Sequence, residues 1–156
     1  MRVLGIDPGT ARVGFGVVEK STRGAVHIAS GCITTSAKTD PTERLATIFT
    51  QTQQLIETYK PQLFGIEDLF YFKNQKTIIQ VGQARGVLLL AATLAKIPVC
   101  SYTPLQIKQA VTGYGQADKN QVQKMVQKLL GLESIPRPDD AADGLAIAIC
   151  CLHSCL

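Results

Sequence analysis

The hydrophobic period of this chain switches once, near residue 40, and that switch limits the possible folds more than any single residue does. Before it, three runs read as strands: Arg2 to Asp7, Arg12 to Glu19 and Ala25 to Thr35. Gly9, Gly14, Gly16, Gly24 and Gly31 punctuate them, which suits tight antiparallel turns. After the switch, Asp40-Pro41-Thr42-Glu43 opens a helix, with Asp40 as cap, Pro41 at the first helical position and Glu43 three beyond the cap. This helix places Leu45, Ile48, Phe49, Leu55 and Ile56 on one face and runs out near Lys60-Pro61. A short strand follows, Leu63 to Glu67, then a long helix from roughly Gln75 to Lys96 that is apolar on most faces. A helix so apolar is expected to be buried on more than one side. Pro98 to Tyr102 reads as a fifth strand, and Leu105 to Val111, Asn120 to Leu130 and about Asp139 to Leu152 read as helices. The order β-β-β-α-β-α-β, then helices, implies an α/β protein: a mixed five-stranded sheet flanked by helices.

At 156 residues, with 46% apolar and 18% charged, the chain is one domain's worth, 1–156, with enough apolar material for a proper core. It has no run of eighteen apolar residues, and Met1 to Ile6 looks like a core strand and not a signal peptide, so a cytoplasmic protein with no membrane association is expected. The five cysteines include no CxxC pair. Cys150, Cys151, His153 and Cys155 crowd the C-terminus, but residues 150 and 151 point about 100° apart on a helix, which spoils convergence on zinc. They read as packing residues. Charge is unevenly spread. The net +4 arises from +7 between Leu69 and Leu132 against −3 elsewhere. Lys73, Lys76, Arg85, Lys96, Lys108, Lys119, Lys124 and Lys128 make up that basic stretch, with Asp118 its single acid. A basic half beside an acidic remainder suits a protein that holds a polyanion next to a cation-binding carboxylate site.

Four acids could form that site. Gly5-Ile6-Asp7-Pro8-Gly9-Thr10 puts a carboxylate at the C-terminal end of the first strand, and Ile66-Glu67-Asp68 repeats the arrangement at the fourth. Asp140-Ala141-Ala142-Asp143 sets two more at i and i+3 on the last helix, with alanines between them that permit close packing on a sheet. Gathered carboxylates repel and raise one another's pKa unless divalent cations sit among them. All-oxygen ligands suit Mg²⁺, with Mn²⁺ as a substitute, and a pair of such ions catalyses in-line phosphoryl displacement.

At these residues the chain resembles the RuvC family of bacterial junction resolvases. The motifs G-I-D-P-G-T at 5–10, I-E at 66–67, G-Q-A-R-G-V at 82–87 and D-A-A-D-x-L-A-I-A-I at 140–149 fall in that family's order over nearly the whole chain. The resemblance implies a ribonuclease-H-like fold and a homodimer that places paired, symmetric nicks across a four-way DNA junction in recombination and repair. It also implies two Mg²⁺ ions per site held by Asp7, Glu67, Asp140 and Asp143, and a RuvAB branch-migration complex as partner. Lys108 and Lys119 match the family's functional lysines, and Lys119 joins the catalytic set. Asp118 stands where the family more often has Glu. Phe70, followed by Tyr71 and Phe72, resembles a residue that stacks on an unpaired base, an identity-blind contact. Lys73, Lys76 and Arg85 are expected to add DNA contacts.

Three other functions fit parts of the pattern. G-I-D-x-G-T also resembles the phosphate loop of the sugar-kinase and actin group, but those proteins close two large domains over ATP and this chain supplies one. A nuclease acting on RNA or on RNA–DNA hybrids would keep the fold and change the substrate. A non-enzymatic protein could hold junctions by its basic face alone, although the intact carboxylate set argues against that.

Overall fold

The computed structural model describes residues 1–22, 24–69 and 75–154. Five strands form one sheet in the order β3-β2-β1-β4-β5: β1 (Arg2–Asp7), β2 (Arg12–Ser21), β3 (Gly24–Thr34), β4 (Leu63–Glu67) and β5 (Val99–Tyr102). β1, β2 and β3 meander antiparallel, while β4 and β5 join parallel to β1 through helical crossovers. Helices α1 (Pro41–Tyr59) and α2 (Gln75–Leu94) cover one face, where Leu4, Ile6, Val13, Val17, Phe64 and Ile66 form a core with Ile48, Ala84 and Leu88. Helices α3 (Pro104–Thr112), α4 (Lys119–Leu130) and α5 (Asp139–Ser154) cover the other, around Val3, Val18 and the buried length of α5.

Local chemistry fixes most of the boundaries. Asp40 caps α1 by accepting from Thr42 N at 2.8 Å, with Pro41 in the first turn. Thr103 with Gln106, and Asp118 with Gln121, form reciprocal capping boxes that start α3 and α4 a residue earlier than the apolar pattern does. These caps place Lys108 in the second turn of α3 and Lys119 at the first position of α4.

Glycine is used differently from the sequence expectation. Gly14 and Gly16 lie within β2 and make no turn. A Cβ at Gly5, Gly14 or Gly16 would collide with α5 backbone, and one at Gly144 with the backbone of Phe15. The missing side chains let α5 lie directly against β1 and β2. Its residues from Ala141 to Leu152 are almost all buried, Cys150 and Cys151 among them, while His153 is exposed and Cys155 lies outside the described residues.

α2 departs from its expectation in the opposite direction. One side packs on the sheet through Val81, Ala84, Leu88, Ala91 and Ala92, but Ile79, Leu90 and Leu94 are 62%, 51% and 61% exposed. α2 is long and apolar enough to cross a membrane by length and composition alone, yet its inner side belongs to the sheet's core. Among the described residues only α1 flanks it on this face, and the outer side at Ile79, Leu90 and Leu94 is exposed.

Candidate active site

Strand alternation and register bring the first two acids together. Residues 3, 5 and 7 of β1 and 63, 65 and 67 of β4 point toward α5, the face on which Gly5 meets Ala148 and Gly65 meets Cys151. The parallel pairing Gly5↔Gly65 and Ile6↔Ile66 then sets Asp7 beside Glu67. The close seat of α5 on β2 carries Asp140 and Asp143 over the same strand ends, since the Asp140 carbonyl rests on Gly14.

The result is an open cavity of about 230 Å³ lined by Asp7, Glu67, Asp143, Lys108 and Lys119, with Pro104, Ile107 and Val122 among its apolar walls. Burial, and then the charges of Glu67, Asp143 and Asp140, hold the Asp7 carboxyl well above its ordinary range. The two carboxyls lie within hydrogen-bonding reach, a contact that raises Asp7 and lowers Glu67. Glu67 is itself pushed up by burial, against the hydrogen bond from Asp7; the charge of Asp143 raises it further and that of Lys108 lowers it.

The helix acids have found cations. Lys119 Nζ donates to Asp143 Oδ2 at 3.1 Å and stands 4.0 Å from Asp139 Oδ2. Burial pulls the Lys119 ammonium down, but the hydrogen bond and charge of Asp143, with Asp139 and Asp140 behind it, raise it overall. At Asp143 burial, together with the charges of Asp140 and Asp139, outweighs the hydrogen bond and charge of Lys119, so its carboxyl lies above its usual range. Asp140 turns to Arg12, 3.5 Å away, and is not part of the cavity lining. Among the described residues, no three acid, His or Cys side chains gather tightly enough to hold a metal ion. Two of the four carboxylates are instead paired with basic side chains, Asp143 with Lys119 and Asp140 with Arg12.

Of the residues expected to meet DNA, Lys108 and Lys119 line the cavity, and Lys76 is exposed in the first turn of α2. Arg85 is different: its guanidinium bonds to Asp68 and Ser101 within the chain. Phe70 and Lys73, with Tyr71, Phe72 and Asn74, lie outside the described residues. Arg12 and the apolar walls were not anticipated. Arg12 opens β2 and gave no motif, but the walls follow from the capping boxes of α3 and α4, T-P-L-Q and D-K-N-Q, both legible in the sequence.

Comparison with known proteins agrees over almost the full length. The family model for the crossover junction endodeoxyribonuclease RuvC matches residues 3–151. A RuvC from Syntrophomonas wolfei is 54% identical over 154 residues, covering 99% of this chain and 90% of the relative. One from Moorella thermoacetica is 55% identical over 150 residues, covering 96% and 90%. The structure of Thermus thermophilus RuvC in complex with a Holliday junction substrate superposes with a TM-score of 0.93 at 36% identity, covering 99% of this chain and 94% of that one.

Proposed function

The chain belongs to the RuvC family of crossover junction endodeoxyribonucleases, and we propose that it resolves four-way DNA junctions by paired, symmetric, metal-dependent hydrolysis at the Asp7–Glu67–Asp140–Asp143 site. The observation that carries this reading is the convergence of the acids: β1–β4 register sets Asp7 beside Glu67, and the close seat of α5 brings Asp143 into the same cavity and Asp140 to its edge. Burial and three neighbouring acids raise the Asp7 carboxyl, an environment that a hard cation would relieve. The donor set is all oxygen, which suits Mg²⁺ or Mn²⁺, and Asp143 and Asp140 would give up Lys119 and Arg12 to join it. Bound there, such ions would supply Lewis acidity toward a phosphate and an attacking water.

The chain's own residues do the rest. Asp7 and Glu67, on strand ends, orient the reacting centre, and the apolar walls on one side lower the local dielectric and strengthen the charges beside them. Lys119, released from Asp143, and Lys108, beside Glu67, place positive charge where negative charge develops on the phosphate during in-line displacement. The basic stretch holds the DNA arms. Phe70 is proposed to stack on an unpaired base at the junction centre.

Two nicks on opposed strands of a two-fold junction need a two-fold dimer. The bare side of α2 supports that assembly. Ile79, Leu90 and Leu94 form an apolar stripe, and a Cβ at Gly86 between them would meet nothing within 4 Å, leaving room for a partner helix to approach.

The test compares substrates. With Mg²⁺ and an immobile four-way junction, a linear duplex and an RNA–DNA hybrid in parallel, the junction should be cut at least about a hundredfold faster than either alternative, a difference of about 2.7 kcal/mol in the barrier. Equal cutting of the hybrid would make this an RNA-directed nuclease.

A further inference from the structure

Arg85, expected from sequence to meet DNA, has its guanidinium committed inside the fold. Nη2 donates to Asp68 Oδ1 at 2.7 Å and to Ser101 Oγ at 2.9 Å, and Nε donates to the main-chain carbonyl of Glu67 at 3.2 Å. The side chain is only 20% exposed. All three acceptors lie at the C-terminal ends of β4 and β5, which pair in parallel as Ile66↔Ser101 and Glu67↔Tyr102. The next bond of that ladder, from Asp68 N to the Tyr102 carbonyl at 2.8 Å, closes the same corner. From α2, Arg85 stitches the two strand ends together.

Alternation along β4 makes the consequence specific. Ile66 packs in the core beneath α2, and Asp68 reaches Arg85 on that same side. Glu67, between them, faces the cavity on the other side of the sheet. The bond to the Glu67 carbonyl fixes the peptide plane after Glu67, and the ion pair fixes the residue after that. With its backbone held so, the Cα–Cβ direction of Glu67 is set, and its carboxylate can reach only what its own rotamers allow. A partly exposed ion pair adds little stability. A planar fork of donors meeting three acceptors supplies orientation, which a lysine could not.

We propose that Arg85 is a positioning residue: it holds the end of β4 from the α2 side so that Glu67 approaches Asp7 and the catalytic cation from a fixed direction. The inference rests on the reading of Glu67 as a metal ligand. It removes Arg85 from the DNA-contacting set and gives it a role in metal affinity.

The experiment uses the full chain with Arg85→Lys and Arg85→Met, together with Asp68→Asn, Ser101→Ala and Glu67→Gln. Four quantities are read: Mn²⁺ affinity by calorimetry without DNA, junction affinity and its salt dependence in Ca²⁺, single-turnover cleavage, and melting temperature. Both Arg85 variants should bind Mn²⁺ about tenfold more weakly and cleave about ten- to a hundredfold more slowly, with part of the rate regained at high Mn²⁺. Junction affinity and its salt slope should stay at the parent values. Arg85→Lys should resemble Arg85→Met, because the fork matters and the charge does not. A fall in junction affinity with a salt slope smaller by about one would mark a phosphate contact and overturn the proposal. Unchanged Mn²⁺ affinity would overturn it as well. If the Arg85 variants melt below the assay temperature, Asp68→Asn and Ser101→Ala each remove one arm of the clamp, and unchanged Mn²⁺ affinity in both overturns it. Glu67→Gln separates the two levels. If it binds Mn²⁺ as tightly as the parent, the ligand reading falls. If it binds weakly while Arg85→Lys does not, only the positioning role falls.

Discussion

The two most apolar helices of the molecule lie on opposite faces of one sheet and are buried to very different degrees. α5 is enclosed almost completely, by the sheet beneath it and by α3 and α4 beside it. α2 is enclosed on one side and bare on the other, at Ile79, Leu90 and Leu94. Apolar content therefore says that a helix must be covered, but not by what. α5 is covered by its own chain because its work is internal: it seats two acids over the strand ends, within the tolerance set by Gly5, Gly14, Gly16 and Gly144. α2 leaves a face for a second copy on our reading, while its inner side carries Arg85 to the end of β4.

The contrast between the two helices is most vulnerable at the α5 seat. Gly144→Val sets a branched side chain against the backbone of Phe15 and Gly16, which cannot move aside as a side chain could. Overpacking usually costs about 1–3 kcal/mol, and a backbone collision belongs at or above the upper end, about 3 kcal/mol or more. Chemical denaturation should show that loss, with cleavage lost alongside it. A variant as stable as the parent would mean that α5 does not sit on the sheet as described.

A smaller effect is expected on α2. Leu90→Glu puts a charge in the middle of the bare stripe and removes nothing from the monomer's core. Sedimentation should show the dimer dissociating at concentrations about ten- to a hundredfold higher than for the parent, about 1.4–2.8 kcal/mol. The monomer's fold should be unchanged by circular dichroism. A parent chain that is monomeric at micromolar concentration yet resolves junctions fully would remove the partner from this account.

An effect of similar size, within the site itself, is expected in the coupling of metal, proton and stability. Asp7, Glu67 and Asp143 all have raised carboxyl pKa values, chiefly through burial. A group that binds its proton more tightly folded than unfolded stabilises the fold at low pH and loses that contribution as pH rises through its folded pKa. The metal-free protein should thus lose stability as pH rises above the ordinary carboxylate range. At neutral pH, Mg²⁺ at a hundred times its Kd should raise the melting temperature by about 5–10 °C, from about 2.7 kcal/mol of binding and about 2–4 °C per kcal/mol at this size. Under acidic conditions the gain should shrink, because the proton on Asp7 competes with the ion. A Mg²⁺ effect independent of pH would place the ion elsewhere.

Much of the fold could be read from residues alone. β1 and β4 end where the acids stand, and α1 begins at the cap and proline that mark it. Gly14 and Gly16 were misread because a glycine that makes a turn and a glycine that admits a helix are identical in sequence. The difference lies in Gly144, some 130 residues away, and only the packing connects them. The pairing of Asp7 with Glu67 follows from β1–β4 register, which local pattern does not contain. Arg85 could be assigned to DNA from its charge, but whether a guanidinium faces solvent or the chain's own strand ends depends on where its helix lies. The apolar pattern starts α4 at Asn120 and passes over Asp118 as its cap, a signal that the Gln three residues on carries in the sequence.

On the proposed reading the acids cut and the basic half binds. Junction affinity and single-turnover cleavage of Asp7→Asn and Asp143→Asn, measured side by side with the parent in Mg²⁺, test that division most directly. Cleavage should fall by at least about a thousandfold, about 4 kcal/mol in the barrier, while junction affinity stays within a few-fold of the parent or tightens, since each change removes a charge that repels phosphate. Cleavage by Asp7→Asn at a rate near the parent's would contradict the account, as would a loss of junction binding equal to the loss of cleavage.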